Sequence, residues 1–264
     1  MSKVKLSPRL RALAERLPAW RVLADVGTDH AYLPIYAVGE GIAPRAIATD
    51  LRPGPAAAAR EQVQLAGLSG RIEVRVGDGL EVLRPGEAEV AAVAGLGGTT
   101  IAGILARGMD RARACERLLL QPMNAAGALR GYLLEAGFAL VDDVLVEEGG
   151  RIYPVLAAEP RTAATADPSV QSTPAAFLQA ATRPAPAGWG FPPGTPRDLA
   201  LEVGPLPWSR RDPLLLSYWE AEVAECRRLL GSVAKSSAPA AAARRAWFQR
   251  RLEGLEAMRR CWPR

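Results

Sequence analysis

The sequence predicts an α/β chain in which a mainly parallel sheet ends in an antiparallel strand pair and is followed by a helical hairpin. Three observations predict it. The first 160 residues alternate short apolar runs with amphipathic runs of helical length. Two strand-like runs near residue 150 are joined only by a turn at Gly149-Gly150, too short a link for a crossover. Beyond Pro205, apolar residues recur at spacings of three and four, the seam of a coiled coil.

Element by element, Leu6 to Leu17 carries Leu6, Leu10, Leu13 and Leu17 on one stripe after a Ser7-Pro8 start, which predicts a helix. Val22 to Val26 reads as the first strand, broken by Gly27. Ala46 to Thr49 is the second strand, and Pro55 to Ala66 a helix stopped by Gly67. Ile72 to Val76 alternates as the third strand, and Val90 to Ala94 is a short apolar fourth. Thr99 to Ala106 follows Gly97-Gly98 as a helix, Leu118 to Leu120 is a fifth strand, and Ala125 to Ala136 another helix. Phe138 to Glu147 and Arg151 to Ala158 make the closing hairpin. Five parallel βα units with a terminal hairpin is the order of the class I (Rossmann-like) methyltransferase sheet, whereas a dinucleotide-binding dehydrogenase would continue with another crossover.

Pro160 to Arg197 is rich in Ala, Pro, Thr and Gly without a sustained period, which predicts a mobile linker. Leu216, Trp219, Val223, Cys226, Leu230 and Val233 then form one stripe, and Phe248, Leu252, Leu255, Met258 and Trp262 a second, separated by a break at Ser236 to Pro239. Two such helices predict an antiparallel coiled-coil hairpin, with Cys226 and Trp262 as packing residues. The expected organisation is thus residues 1–160 as a catalytic domain, 161–198 as linker and 199–264 as a basic helical domain.

Composition narrows the chemistry. With 264 residues, 49% of them hydrophobic and 23% charged, the chain is ordinary globular material and needs no staples. His30 is its single histidine and Cys115, Cys226 and Cys261 its only cysteines, so no zinc-ligand spacing exists and a hydrolase triad would have one imidazole to use. Three scattered cysteines suit reduced thiols and a cytoplasmic location. The charged N-terminal stretch lacks the apolar core of a signal peptide, and no run is long and apolar enough to predict a membrane span. The net charge of +5 is uneven: Pro205 to Arg264 holds 12 basic and 6 acidic residues, leaving the preceding body at −1. A basic tail on a neutral body suits a polyanionic partner.

In this architecture ligands sit at the carboxyl ends of the strands. The loop after the first strand, Asp25-Val-Gly-Thr-Asp-His-Ala-Tyr-Leu-Pro34, offers Gly27 for close backbone approach and amides, including that of Thr28, that open the next helix. Asp50, 23 residues after Gly27, stands with Leu51 where an acid binds ribose hydroxyls. Asp78, within Gly77-Asp-Gly79, is placed to accept from an adenine amino group. Three acids at successive strand ends without a phosphate-binding glycine set favour S-adenosylmethionine over a nicotinamide dinucleotide. Capping of the following helices is the lesser alternative for Asp25 and Asp50, whereas Gly95, Gly97 and Gly98 equally suit plain turns.

Leu6-Ser-Pro-Arg-Leu10, Ala24-Asp-Val-Gly-Thr-Asp-His-Ala-Tyr-Leu-Pro34, Gly77-Asp-Gly-Leu80, Ala94-Gly-Leu-Gly-Gly98 and Leu120-Gln-Pro122 together resemble a bacterial tRNA methyltransferase family that modifies N1 of adenine 22, in the D-arm region. The likeness continues through Arg151-Ile-Tyr153, Val203-Gly-Pro205 and Asp212-Pro-Leu214. Where the family has Asn directly after Gln-Pro, Met123 here precedes Asn124. The resemblance implies S-adenosylmethionine as cofactor, no metal, and tRNA as partner. It implies cofactor contacts from Asp25, Gly27, Thr28, Asp50, Leu51, Gly77, Asp78, Gly79 and Gly95. Asp29, His30 and Asn124 become the expected catalytic residues, with Asp29 also suited to an N-cap or to the cofactor's amino group. Tyr32, Gly97, Gly98, Gln121 and Pro122 would meet the base, and tail arginines, among them Arg227, Arg228, Arg244 and Arg245, the RNA backbone; a solvated coiled-coil face is the alternative for part of that set. Other readings open at this point are a methyltransferase for another RNA or a small molecule, and a non-catalytic cofactor-sensing RNA-binding protein. A monomer is compatible with the sequence, which leaves the oligomeric state open.

Overall fold

The computed structural model describes residues 4–161, 184–191, 193–234 and 241–262. Its centre is a seven-stranded sheet of β1 (Leu23–Val26), β2 (Ala46–Asp50), β3 (Ile72–Val76), β4 (Val90–Leu96), β5 (Arg117–Pro122), β6 (Phe138–Glu148) and β7 (Arg151–Pro160). The spatial order is β3-β2-β1-β4-β5-β7-β6, with β1 to β5 parallel, β7 antiparallel to β5 and β6 antiparallel to β7. Glu148 pairs with Arg151, so the connecting turn is Gly149-Gly150 alone. Both residues have positive φ (60° and 73°), which the twist of a two-residue hairpin requires and glycine adopts without strain.

Alternation along the strands makes two apolar layers. Leu23, Val90, Ala92, Leu119 and Val155 face α1 (Pro8–Ala14), α2 (Tyr32–Gly39) and α3 (Pro53–Leu65). Ala24, Val26, Ala91, Val93, Leu118 and Leu120 face α4 (Gly98–Arg107), α5 (Met109–Ala114) and α6 (Ala126–Glu135). The central strands are buried on both faces, which is why they read as continuous apolar runs. Helix α2, which has no apolar stripe of its own beyond the glycine-containing loop, is held by Leu33, Ile35, Ala37 and Val38 in the first layer.

Residues 162–183, most of the predicted linker, lie outside the described residues. Among the described residues of that predicted segment, Phe191 and Thr195 are buried. Phe191 stacks on Trp208 at 4.7 Å between ring centroids, and the Trp208 indole N–H donates to the Gly190 carbonyl at 3.0 Å. Two short helices, α7 (Arg197–Val203) and α8 (Pro205–Ser209), carry the chain onto α6 and β6. The tail follows as α9 (Leu215–Ala234) and α10 (Ala241–Cys261), lying side by side. Trp219 and Val223 share a core with Leu255 and Met258, and Val233 shares one with Ala241 and Phe248. The seam starts at Leu215 rather than Leu216, which is exposed. Both fit the spacing to Trp219, and contact with the Leu145, Trp208 and Trp219 cluster selects Leu215.

The junction between sheet and tail is ionic at its centre. Arg130 of α6 is fully buried; its Nε donates to Asp143 Oδ2 at 2.8 Å, its Nη2 to Asp143 Oδ1 at 3.2 Å, and its Nη1 to the Leu201 and Glu202 carbonyls at 2.7 and 3.1 Å. Edge strand β6 is covered further by Arg16 and Arg210, both paired with Asp142. That cover removes an edge otherwise open to strand addition.

Candidate active site

The loops at the carboxyl ends of β1 to β5 converge through backbone hydrogen bonds. The Gly27 and Thr28 amides both donate to the Thr49 carbonyl, at 2.8 and 2.9 Å, which locks the first loop to β2. Gly27 takes left-handed backbone (φ 74°). Asp25 is buried, and the Thr28 hydroxyl donates to its Oδ2 at 2.6 Å. Burial pushes the Asp25 carboxyl up to about 6; the Thr28 hydrogen bond opposes that rise and the nearby Asp50 charge adds to it.

Asp50 spends its carboxylate on the backbone, accepting from Arg52 N–H at 3.0 Å and from Asp29 N–H at 3.4 Å. Asp29 (φ 53°) and Ala31 (φ 55°) are both left-handed, a conformation costing about 1–2 kcal/mol for a non-glycine residue. The resulting tight turn leaves the Asp29 carboxylate 66% exposed at the strand end. Its Oδ2 lies 3.6 Å from His30 Nε2, and the His30 ring stacks on Tyr32 at 5.4 Å.

Beside this loop, Leu51 directly after β2 and Val76 at the end of β3 are exposed by 64% and 43% although apolar. The Gly77 amide donates to the Asp50 carbonyl at 2.9 Å, so Leu51, Val76 and Asp78 border one open surface. Apolar side chains next to a carboxylate suit a purine whose amino group the carboxylate accepts. Asp78 already pairs with Arg107, Oδ1 to Nη2 at 2.9 Å, so a purine there shares the carboxylate with that guanidinium.

The β4 and β5 loops form the other wall. The β4–β5 ladder skips Gly95, and the freed Gly95 amide donates to Gln121 Oε1 at 3.1 Å. Gln121 is therefore turned inward, with Nε2 donating to the Pro122 carbonyl at 2.8 Å; Gln121 and Pro122 are buried, whereas Asn124 is exposed. Gly98 permits the closest approach in this wall: its amide donates to the Asn124 carbonyl at 3.0 Å, and a Cβ there would lie 2.4 Å from the Ala125 carbonyl oxygen. At Gly97 a Cβ would stand 3.0 Å from Asn124 Oδ1. Gly79 packs against Ile104 and takes part in the fold of the β3 loop.

The structure thus joins Asp25, Gly27, Thr28, Asp29, Asp50 and Gly77 through hydrogen bonds, with Leu51 exposed beside them, and brings Gly95 to Gln121 and Gly97 and Gly98 to Asn124 in the other wall. A Cβ on Gly27 would meet Leu96 at 3.8 Å, so the two sets adjoin. Arg227, Arg228, Arg244 and Arg245 lie apart, on α9 and α10. Arg227 and Arg228 are paired with Glu256 and Glu225, each at 2.6 Å. Among the described residues, no group of three or more His, Cys, Asp or Glu side chains is arranged to hold a metal, and no helix is long and apolar enough to cross a membrane.

Sequence reasoning missed Arg9, Val76 and Arg107. Arg9 reaches from α1 to the β5 end: Nη1 donates to Gln121 Oε1 at 3.1 Å and lies 2.7 Å from Met123 Sδ, and Nη2 donates to Glu148 Oε1 at 2.6 Å. Its guanidinium sits 4.7 Å above the Tyr153 ring. The available signal was its place in Leu6-Ser-Pro-Arg-Leu10, a motif without an assigned task.

A buried acid, a left-handed loop and open apolar side chains thus meet at the carboxyl ends of an α/β sheet, and residues 6–156 match the family model described as "Methyltransferase domain". The tRNA (adenine(22)-N(1))-methyltransferase of Bacillus subtilis (strain 168) is 48% identical over 159 residues, 60% of this chain and 67% of the relative. The crystal structure of the B. subtilis m1A22 tRNA methyltransferase TrmK matches with a TM-score of 0.75 and 33% identity, over 97% of this chain and 99% of that one. Sp1610 of Streptococcus pneumoniae, described as a putative tRNA (m1A22) methyltransferase and solved in complex with S-adenosyl-L-methionine, matches with a TM-score of 0.73 and 27% identity, over 96% and 99%. The chain belongs to the tRNA (adenine(22)-N(1))-methyltransferase family.

Proposed function

We propose that this chain is a cytoplasmic enzyme that methylates N1 of adenine 22 in tRNA, using S-adenosylmethionine. The observation that carries this reading is Asp29, an exposed carboxylate fixed in a left-handed turn directly beyond the buried loop of Asp25, Gly27 and Thr28. S-adenosylmethionine, when bound, supplies an electrophilic methyl group. The residues present suit it: Asp50 for the ribose hydroxyls, Leu51 and Val76 for the faces of its purine, Asp78 for the purine amino group, and Asp25, Thr28, Gly77, Gly79 and Gly95 for the walls.

Adenine N1 carries an in-plane lone pair, so the chain needs no covalent nucleophile. Its work is positioning and electrostatics. Methylation leaves the base cationic, and Asp29, accepting from the base's N6–H, stabilises that charge as it develops. His30 and Tyr32 orient Asp29 and offer a ring face. Asn124 supplies an amide at the exposed lip, while Gly97 and Gly98 keep the wall thin enough for a planar base. Gln121 and Pro122 serve from behind, by fixing that lip. Residues 1–160 hold cofactor and base, and 199–264 grip the RNA backbone.

The test is mass-spectrometric mapping of unmodified tRNA after incubation with the enzyme and S-adenosylmethionine, beside Asp29→Ala. N1-methyladenine at position 22 is expected. The variant should lose about 10²–10³-fold in kcat with cofactor affinity unchanged. Full activity of Asp29→Ala removes Asp29 from catalysis, and no modified adenine removes the function.

A further inference from the structure

The start of the second tail helix carries a cluster of unpaired positive charge. Residues 241–251 hold four arginines and no acid. Three of the other hairpin arginines are neutralised, Arg227 by Glu256, Arg228 by Glu225 and Arg259 by Glu220, each at 2.6 Å, while Arg260 near the end of α10 is exposed without an ion pair among the described residues. Arg244, Arg245 and Arg250 are exposed and have no ion-pair partner among the described residues.

Amid them stands Trp247, 46% exposed, while its neighbour Phe248 is buried in the seam. The Arg251 guanidinium lies 5.3 Å from the Trp247 ring centroid. Arg251 is itself clamped, by Glu202 at 3.0 Å and Glu222 at 2.9 Å. The indole is therefore backed on one face by an immobilised cation and open elsewhere. Packing does not account for so exposed an indole, and the adjoining Ala246 and Gln249 add no apolar anchor of the kind a lipid surface needs. An aromatic platform flanked by uncompensated arginines fits single-stranded nucleic acid, where the charges follow phosphates and the ring takes a base.

We propose that Trp247 stacks on an unpaired base of the tRNA, with Arg244 and Arg250, one helical turn to either side of it, on the adjoining phosphates; the proposal rests on the tRNA reading above. This contact lies on the hairpin, apart from the target adenine, and adds affinity without touching the chemistry. Stacking and charge separate by their salt dependence.

The experiment measures binding of unmodified tRNA across a salt series for the full chain and for Trp247→Ala, Trp247→Phe and Arg250→Ala. Trp247→Ala should weaken binding about tenfold with an unchanged slope of log K against log salt, and Trp247→Phe should retain affinity within about threefold. Arg250→Ala should lower the slope by about one. Unchanged affinity in Trp247→Ala, or a loss shared equally by Trp247→Phe, overturns the proposal. This comparison decides the stacking contact whether or not methyl transfer occurs, because transfer to adenine 22 is scored separately on the unaltered chain.

Discussion

The strand-end site and the sheet–tail junction are built by opposite means. At the site backbone amides do the holding, those of Gly27 and Thr28 on the Thr49 carbonyl, that of Gly98 on the Asn124 carbonyl and that of Asp29 on the Asp50 carboxylate. The side chains that would meet ligands are left exposed: Asp29, Tyr32, Leu51, Val76 and Asn124. At the junction the side chains do the holding. Arg130 and Asp143 are wholly buried and each nitrogen of the guanidinium donates to an acceptor. The difference teaches a division of tasks: one region keeps functional groups free on a rigid frame, and the other fixes the hairpin relative to that frame.

Breaking the junction should have the largest effect. Arg130→Ala leaves Asp143 buried without its partner, and such losses run to about 3–5 kcal/mol. Burial already pushes the Asp143 carboxyl up against the opposing pull of Arg130. Without Arg130 it rises further, so the penalty should shrink as pH falls and Asp143 takes a proton. Urea unfolding at neutral and acidic pH measures both. Replacing the pair together, as Arg130→Met with Asp143→Leu, should recover most of the stability; if it does not, the carbonyl contacts to Leu201 and Glu202 matter more than the ion pair.

That junction is also where sequence told least. Arg130 sits in a run, Ala126-Gly-Ala-Leu-Arg-Gly-Tyr132, that reads as any helix with one solvated arginine. Its burial depends on α7, 67 residues later, and no local period encodes that. Phe191 and the start of α7 were hidden similarly, because a Pro- and Ala-rich composition masks short docked pieces. The closing β-hairpin, by contrast, was legible from two adjacent glycines, since chain length alone forbids a crossover there. The strand-end acids were legible because their place after apolar runs is fixed by sheet geometry. Arg9 was visible only as part of a motif, and Gln121's inward turn follows from a bulge at Gly95 that the apolar run of β4 conceals.

At the site, the largest expected stability effect comes from Asp25. Its carboxyl is raised by burial to about 6, so the folded state binds a proton more tightly than the unfolded chain. The stability this group allows is complete below about pH 4 and is lost as pH rises to about 6. Asp25→Asn, which keeps an acceptor for the Thr28 hydroxyl, should therefore melt higher at pH 7, by about 2 kcal/mol, and lose that pH dependence. Its affinity for S-adenosylmethionine should fall at the same time, as measured by calorimetry. A variant less stable at both pH 4 and pH 7 would show that the hydrogen bond, not the buried charge, governs this position.

The smallest effect sharpens the comparison most, because Arg9 belongs to both modes: a side chain that holds, at the lip of the site. Its guanidinium Nη2 on one Glu148 oxygen, helped by its backbone N–H on the other, keeps the Glu148 carboxyl down at about 2. The sign is opposite to that of Asp25: this stabilisation is present above the unfolded value near 4.5 and is lost as pH falls toward 2. Arg9→Lys gives up the planar fork and the shared contact on Gln121. Stability at pH 7 should drop by about 1 kcal/mol, discounted for the partial exposure of both partners. Because Gln121 also carries the Gly95 amide, the lip bearing Asn124 should loosen. The expected signature is a fall in kcat of several-fold with cofactor affinity and the KM for tRNA unchanged. Equal losses in KM and kcat, or a normal kcat at matched stability, would confine Arg9 to holding α1 against the hairpin.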